Sequence, residues 1–175
     1  INTSNKRTFR LFIKLCANYA GKLVNLTNIS NLLNVSVSTV SNWLSILESS
    51  YIIYFLQPYF HNFEKRTVKT PKLYFYDTGL LCHLLGIRDG TDLQQNEQVG
   101  SVFENFVINE KYKKAYHNGD DLSLYFLRDS NGVEIDMVEE INHQNAIFHE
   151  VKSSFTFNSN HAKNLSKFQS DTLKV

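Results

Sequence analysis

The residues best suited to chemistry lie in the second half of the chain, in two short segments that each predict a β-strand. Residues 132–136 end with Asp136, and residues 146–152 contain Glu150 and Lys152. Because side chains on a strand alternate between faces with a period of two, Glu150 and Lys152 point to the same side. If the two strands pair, Asp136 can lie beside Glu150 and Lys152. Two carboxylates can hold a hard divalent cation such as Mg²⁺, and an ammonium beside them suits the hydrolysis of a phosphodiester.

These residues also have a plain structural interpretation. Glu150 and Lys152 on one face of a strand can form a solvated ion pair, which contributes less than about 1 kcal/mol to stability. Charged side chains are common on protein surfaces. From the spacing alone both interpretations stay open, and the surrounding elements must decide between them.

The composition is that of an ordinary globular protein. The 175 residues are 42% apolar and 20% charged, which suits one large domain or two small ones. No apolar run approaches the roughly 20 residues that a membrane helix needs, so we expect no membrane partner. Cys16 and Cys82 match no metal or redox spacing, which predicts a reducing, cytoplasmic setting. The chain begins with Ile1 rather than Met and stops at Val175 in an apolar stretch, so we expect a fragment of a longer protein.

Charge is distributed unevenly along the chain. Residues 1–99 carry ten Lys and Arg against six Asp and Glu, whereas residues 100–175 carry eight against eleven. The acidic second half suits the binding of a cation better than unaided binding of nucleic acid. The mildly basic first half is not typical of a strong DNA binder.

The first half predicts three helices and a β-hairpin. Apolar periodicity predicts helices over about 7–20, from about residue 27, and over about 37–49. Apolar runs at 51–56 and 73–76 predict two strands with a basic loop between them. This order predicts a winged-helix domain over residues 1–87, in which helix 37–49 and the loop bind DNA. A protein-interaction or packing module is the alternative.

The candidate DNA contacts in this domain are few. On helix 37–49 only Asn42 is suited to base readout, and Glu48 is the only charged residue. Loop cations are often simply solvated, but they can also neutralise phosphates. In this loop they are Lys65, Arg66, Lys69 and Lys72.

The second half predicts an α/β core behind a linker. Residues 88–100 are polar and predict the domain boundary, after a short helix that ends at Gly86. The following pattern predicts a helix over about 101–116, strands at 122–128, 133–140 and 145–152, a helix over about 159–169, and a last strand from Thr172. The last helix carries Lys163 and Lys167 four residues apart, as phosphate contacts or as part of a solvated face.

This order of elements, with these residues, resembles the PD-(D/E)XK nuclease fold, an α-β-β-β-α-β core with an Asp on its second strand and (Asp/Glu)-x-Lys on its third. The whole chain is similar to the C-terminal region of bacterial and archaeal AAA+-type ATPases, where a winged helix precedes a nuclease-like domain. The segments that carry the resemblance are WLSIL (43–47), PKLYFYDTGL (71–80), VFENF (102–106), GVEID (132–136) and HEVKS (149–153). It implies an α/β (α+β) protein whose nuclease-like domain, residues 101–175, is truncated at its C-terminal end.

The resemblance implies roles for the opening residues. Asp136 and Glu150 would hold Mg²⁺ together with the backbone carbonyl of Val151. Lys152 would orient the attacking water or stabilise charge developing on the phosphate. The Pro of the family motif is Ile135 here, at a position that many members vary.

The resemblance also bears on Glu104 and on ATP. Glu104, on the first helix of the nuclease-like core, matches an additional acidic position that many members use for metal. A capping box that begins at Ser101 is an equally good interpretation of Glu104. No GxxxxGK[ST] loop occurs in this sequence, so we expect ATP binding only in an upstream ATPase module of the same protein.

Three functions from different classes remain open. The first is a Mg²⁺-dependent endonuclease that acts on DNA beside the ATPase module. The second is a module whose nuclease fold binds nucleic acid without cutting it, and the third is a regulatory or protein-interaction appendage of the ATPase. Binding of a divalent cation separates the first from the others, and salt-dependent DNA binding separates the second from the third. The oligomeric state is open.

Overall fold

The computed structural model of the chain describes residues 3–59, 69–119, 123–129, 131–142 and 145–172. The helices over these residues are α1 (Thr3–Asn18), α2 (Leu26–Leu33), α3 (Val37–Ser49), α4 (Thr78–Leu84), α5 (Gly90–Gln95), α6 (Val99–Asn118) and α7 (Lys163–Thr172), with a 3₁₀ helix at Ser159–Ala162. The strands are β1 (Ile53–Pro58), β2 (Lys72–Phe75), β3 (Ser123–Arg128), β4 (Glu134–Asn142) and β5 (Asn145–His149). This mixture confirms the predicted α/β (α+β) class.

The chain divides into two compact units. Unit 1 comprises residues 1–55 and 71–105, and unit 2 comprises residues 56–70 and 106–175. The strands are hydrogen-bonded in the order β2-β1-β3-β4-β5, and β1 and α6 each contribute residues to both units. None of the helices in the described ranges is long and apolar enough to span a membrane.

Helices α1 to α3 of unit 1 occur where the periodicity predicts them, and local caps set their ends. Asn25 accepts a hydrogen bond from the backbone N–H of Asn28 at the start of α2, and Ser36 does the same for Thr39 at the start of α3. Asn34 closes α2 in the left-handed conformation, with φ of 52°. The apolar faces meet in one core, which includes Phe12, Cys16, Ile29, Val40, Leu44 and Leu47.

The polar stretch 88–100, predicted to be a linker, contains helical structure. Asp89 caps α5 by accepting hydrogen bonds from the backbone N–H groups of Thr91 and Asp92. Helix α6 already begins at Val99. Polar residues that accept hydrogen bonds from the free N–H groups of a first helical turn are of the types that are also common in loops. A capped short helix can therefore be mistaken for a loop in the sequence.

Unit 2 contains the antiparallel meander that the sequence predicts. Strand β3 pairs with β4, and β4 pairs with β5 through Val138 and Phe148, among others. The end of β1 runs parallel to β3, with Gln57 beside Tyr125. The core of this unit includes Tyr59, Leu127, Ile135, Val138 and Phe168, with Leu165 packed against it.

The strand ends differ from the predicted ones in two places. Strand β5 ends at His149 rather than at residue 152, because the backbone N–H of Val151 donates to the Asp136 carboxylate and not to a ladder carbonyl. Thr172, the first residue of the predicted last strand, is the last residue of α7. The rest of that predicted strand, 173–175, lies outside the described residues.

Candidate functional site

Asp136 lies in an irregular part of β4, the middle strand of the meander. Strands β3 and β4 pair Tyr125 with Val138 but Leu127 with Ile135, so β4 holds one extra residue in this interval. Such a bulge bends the strand and re-aims side chains, and bulges are frequent beside active sites. The interruption therefore coincides with the predicted catalytic Asp.

Glu150 and Lys152 follow directly after β5. The pairing of Met137 with His149, continued by one residue, sets Glu150 opposite Asp136. Like charges directly opposite each other on neighbouring strands destabilise a sheet. The two facing carboxylates thus require a counter-charge.

Lys152 supplies that counter-charge. Its Nζ donates to Oε2 of Glu150 at 2.6 Å and to Oδ2 of Asp136 at 3.1 Å. The backbone N–H of Val151 donates to the same Asp136 oxygen at 2.8 Å. The structure thus brings together the three residues that the sequence predicts to be catalytic, which we call the acidic cluster: Asp136, Glu150 and Lys152.

Burial sets the electrostatics of the acidic cluster. The side chains of Asp136 and Glu150 are 11% and 5% exposed, whereas that of Lys152 is 42% exposed. Burial raises the pKa of Glu150 above its ordinary value, because the charged carboxylate loses water, and the hydrogen bond from Lys152 offsets this only in part. Burial lowers the pKa of Lys152, but the hydrogen bonds and charges of the two carboxylates outweigh it, so that the pKa of Lys152 is raised.

One oxygen of the acidic cluster is left without a partner. Oε1 of Glu150 is buried and accepts no hydrogen bond from the described residues. Leaving a buried acceptor unsatisfied costs about 1–3 kcal/mol, so the atom requires an explanation. The cluster also holds two carboxylates against one ammonium. A divalent cation would supply both the missing charge and the missing partner.

The donor set suits Mg²⁺ in particular. Mg²⁺ is commonly bound through one or two carboxylates and keeps several water ligands. Asp136, Glu150 and the carbonyl of Val151 are oxygen donors of that kind. Nowhere in the described ranges does a group of three or more His, Cys, Asp or Glu side chains form a metal site, so a cation here would rest on these two carboxylates.

Glu104, the additional metal ligand expected from the resemblance, has other partners in unit 1. Its Oε1 accepts hydrogen bonds from Nζ of Lys72, at 3.0 Å, and from the hydroxyl of Tyr74. The expected capping box is also absent, because Ser101 lies inside α6 and not at its start. Glu104 is therefore part of a buried ion pair. We call Lys72, Tyr74 and Glu104 the buried triad.

Lys72 requires a correction as a DNA contact. The sequence places it in the exposed loop, but it is a β2 residue that is 1% exposed and paired with Glu104. Strand β2 begins at Lys72 and continues through the buried residues Leu73 and Phe75. The aliphatic part of the Lys72 side chain and its ammonium group both lie inside unit 1. A side chain buried in this way cannot reach a phosphate.

The other predicted nucleic-acid contacts are dispersed. Asn42 is exposed on α3 in unit 1, and Lys69, Lys163 and Lys167 are exposed in unit 2. Lys65 and Arg66 lie outside the described residues. These positions are compatible with phosphate contacts, although none of them belongs to the acidic cluster.

A second charged group in unit 2 was not identified from the sequence. Glu139 on β4 accepts hydrogen bonds from Lys111 of α6, at 2.7 Å, and from Nε2 of His149, at 3.2 Å. The hydrogen bond from Lys111 is the main cause that lowers the pKa of Glu139. The register that pairs Met137 with His149 brings these groups together. The signal in the sequence that could have indicated this group is a second carboxylate, Glu139, in the same predicted strand as Asp136.

Two exposed aromatic residues follow the acidic cluster and were likewise not singled out. Phe155 and Phe157 are 98% and 81% exposed. Residues 151–168, which contain them, include three Lys and one His but no Asp or Glu. Aromatic side chains among cations are the usual contacts of unstacked nucleic-acid bases. The signal in the sequence was the Phe-Thr-Phe repeat next to Lys152.

Comparison with protein families gives two matches along the chain. Residues 1–91 match the family profile of a domain of unknown function (DUF8612), and residues 99–174 match that of another domain of unknown function (DUF4143). The DUF4143 domain is often the C-terminal region of AAA-type ATPases. The two matches meet near the polar stretch 88–100.

Two curated relatives are similar to this chain. They are the uncharacterized proteins Mb2031c of Mycobacterium bovis and Rv2008c of Mycobacterium tuberculosis, each 32% identical over 134 residues. The match covers 77% of this chain and 30% of each relative, so the chain spans about a third of their length. No solved structure matches the chain.

Proposed function

This chain belongs to the family of the domain of unknown function DUF8612 and continues into a DUF4143 region, and from this premise we propose that it is a nuclease-like module of an AAA+-type ATPase. In this proposal the module binds Mg²⁺ and nucleic acid and hydrolyses phosphodiesters. The observation that carries it is the acidic cluster, where two buried, facing carboxylates share one lysine and Oε1 of Glu150 lacks a partner.

Each residue of the acidic cluster has a role in the proposed reaction. Asp136 and Glu150 hold the cation, and the backbone N–H of Val151 fixes the Asp136 carboxylate in place. A Mg²⁺ ion held by these carboxylates would supply a water of lowered pKa and would polarise the phosphate. Lys152, whose Nζ lies between the two carboxylates, would orient the attacking water or stabilise charge on the phosphate.

Nucleic acid is the proposed substrate because several exposed side chains of unit 2 suit it. Lys163 and Lys167 offer charges to phosphates, and Phe155 and Phe157 offer faces on which bases can stack. The proposed connection to an ATPase rests on the resemblance and on the usual context of DUF4143 regions. In this proposal unit 1 is a winged-helix domain that follows the ATPase module in the sequence and precedes most of the nuclease-like core.

One observation favours a second candidate, a module that binds nucleic acid or a protein partner without catalysis. Lys152 already compensates one carboxylate charge, and the acidic cluster holds two candidate metal-binding side chains rather than three. Fold and residue placement do not fix activity. The two candidates make opposite predictions about cleavage.

The decisive experiment compares cleavage by three forms of the chain. Supercoiled plasmid and single-stranded DNA are incubated with Mg²⁺ and the wild type, Asp136→Asn or Lys152→Met. We expect cleavage by the wild type and a loss of about 100-fold or more in both variants, because Asp136→Asn weakens the proposed cation site and Lys152→Met removes the ammonium that acts on the water or the phosphate. Calorimetry with Mg²⁺ alone should show heat of binding for the wild type and none for Asp136→Asn.

A matched control comes from the same strand. Glu139→Gln changes another partly buried carboxylate of β4 and should leave the cleavage rate unchanged. Equal cleavage by the wild type and Asp136→Asn would remove the acidic cluster from the reaction. Mg²⁺ binding that requires Asp136, without any cleavage, would establish the second candidate in place of the first.

A further inference from the structure

The strongest uniform charge in unit 1 lies on α1, not on α3. Lys6, Arg7, Arg10 and Lys14 are exposed and line one shallow depression together with Leu11. Their spacing places all four on a stripe about 100° wide, at about 100° of rotation per residue. We call them the α1 cations.

The sequence around the α1 cations contains no compensating charge. The first acidic residue of the chain is Glu48, so residues 1–47 carry five Lys and Arg and no carboxylate side chain. The opposite face of α1 is buried through Phe12, Cys16 and Ala17, which fixes the direction in which the cations project. The helix therefore presents an oriented positive surface.

We propose that the α1 cations bind the phosphate backbone of nucleic acid and form the main electrostatic contact of unit 1 with it. Lys6, Arg10 and Lys14 are one helical turn apart, and four residues of helix rise about 6 Å. A DNA strand carries one phosphate for about every 3.4 Å of helix axis. Cations one helical turn apart on α1 can therefore each meet a phosphate of the same strand.

The composition of the surface favours a polyanion over other partners. A protein interface usually has an apolar centre with aromatic residues, but among the described residues that line the depression only Leu11, at 52% exposure, is a large apolar side chain. An interfacial membrane helix needs a broad exposed apolar face, and the apolar face of α1 is already buried in unit 1. Phosphates spaced along a strand remain the best match.

This inference shares only its ligand class with the proposed nuclease function, and it concerns a different surface. It also changes the expectation for α3, whose exposed residues are almost all uncharged. Phosphate contacts position a protein on nucleic acid without specifying sequence. The proposed role of α1 is therefore to hold the substrate regardless of its sequence.

The test measures duplex DNA binding by fluorescence anisotropy, with EDTA present so that cleavage has no influence. The probe is a 20-bp duplex of arbitrary sequence, titrated at several NaCl concentrations. The test variant combines Lys6→Gln, Arg7→Gln, Arg10→Gln and Lys14→Gln. The control variant removes four exposed cations elsewhere: Lys22→Gln, Arg88→Gln, Lys113→Gln and Lys114→Gln.

Phosphate binding predicts a specific difference in salt dependence. Four phosphate contacts contribute about −3.6 to the slope of log K against log salt, and the test variant should lose most of that slope and about 100-fold in affinity at low salt. The control variant should keep the wild-type slope. Gln is a good helix former, so α1 should persist, and circular dichroism checks this.

Two results would overturn the proposal. Equal weakening in the test and control variants would mean that net charge, and not the α1 stripe, drives binding. Equal affinity of the wild type for the duplex and for polyglutamate of the same charge would assign the α1 cations to an acidic protein partner. Cleavage assays do not enter either result, so a failure here is distinct from a failure of the proposed nuclease.

Discussion

The buried triad of unit 1 and the acidic cluster of unit 2 both set a lysine against carboxylate, but they balance charge differently. In the triad one carboxylate meets one ammonium, and Oε1 of Glu104 accepts from both Lys72 and Tyr74. Lys72 is 1% exposed. Among the described residues the charges of Lys72 and Glu104 balance, and Oε1 of Glu104 accepts from two donors.

The acidic cluster has an excess of negative charge and of acceptors. Two carboxylates share Lys152, and Oε1 of Glu150 has no partner in the described part of the chain. Structural polar groups in protein interiors are normally satisfied, whereas binding sites keep unsatisfied groups for a ligand. The contrast therefore supports the proposal that the acidic cluster is a functional site, whereas the contacts of the triad favour a stabilising role.

The largest effect should come from disrupting the buried triad. Glu104→Ala removes the ion-pair partner of Lys72, and breaking a buried pair on one side costs about 3–5 kcal/mol. We expect that loss in the free energy of unfolding, measured by urea denaturation. The fluorescence of Trp43, which packs against Phe9 and Phe12 in the core of unit 1, reports the transition.

A double variant provides the control for this change. Lys72→Met with Glu104→Leu replaces the pair by apolar side chains of similar size, which is often neutral or stabilising. It should recover most of the stability that Glu104→Ala loses. A cost below about 1 kcal/mol for Glu104→Ala would show that the triad behaves as a surface ion pair, and the comparison would fail.

The acidic cluster should respond in the opposite way. Glu150→Gln removes one of two facing carboxylates, so at neutral pH it should leave the free energy of unfolding unchanged or raise it by up to about 1 kcal/mol. The pKa of Glu150 in the folded state is raised above the ordinary 4.5, so the protonated carboxyl stabilises the folded protein. This stabilisation is fully present below pH 4.5 and is lost as the pH rises through the folded-state pKa.

The corresponding measurement is urea denaturation followed by circular dichroism at stepwise pH. The difference between Glu150→Gln and the wild type should move in favour of the variant as pH rises from about 4.5 to neutral. A variant that loses several kcal/mol at pH 7 would mean that the Glu150 carboxylate is structural, as Glu104 is.

The sequence predicts local structure well here and long-range pairing poorly. The helices of unit 1 follow from apolar periodicity and from capping residues such as Asn25 and Ser36, which act within a few positions. The cluster of Asp136, Glu150 and Lys152 could be predicted because two adjacent strands must pair in a limited set of registers.

The buried triad could not be predicted, because its residues are far apart in the sequence. Lys72 and Glu104 are 32 residues apart, and only the packing of β2 and α6 within unit 1 brings them together. The bulge at Asp136 also leaves no composition signal, because any residue can occupy the extra position. The apolar run that follows Lys72 predicts a strand, but it does not reveal which carboxylate pairs with the lysine.

The smallest effect, from Glu139, tests the comparison within a single strand. Its hydrogen bond with Lys111 lowers the pKa of Glu139, so its stabilisation is present above the ordinary 4.5 and is lost as pH falls through the folded-state pKa. Glu139→Gln should therefore cost less than about 1 kcal/mol at neutral pH, and this cost should vanish in acid. The same titration series measures it. Glu139 and Glu150 should then show opposite trends with pH, and parallel trends would mean that the acidic cluster differs from an ordinary ion pair in exposure alone.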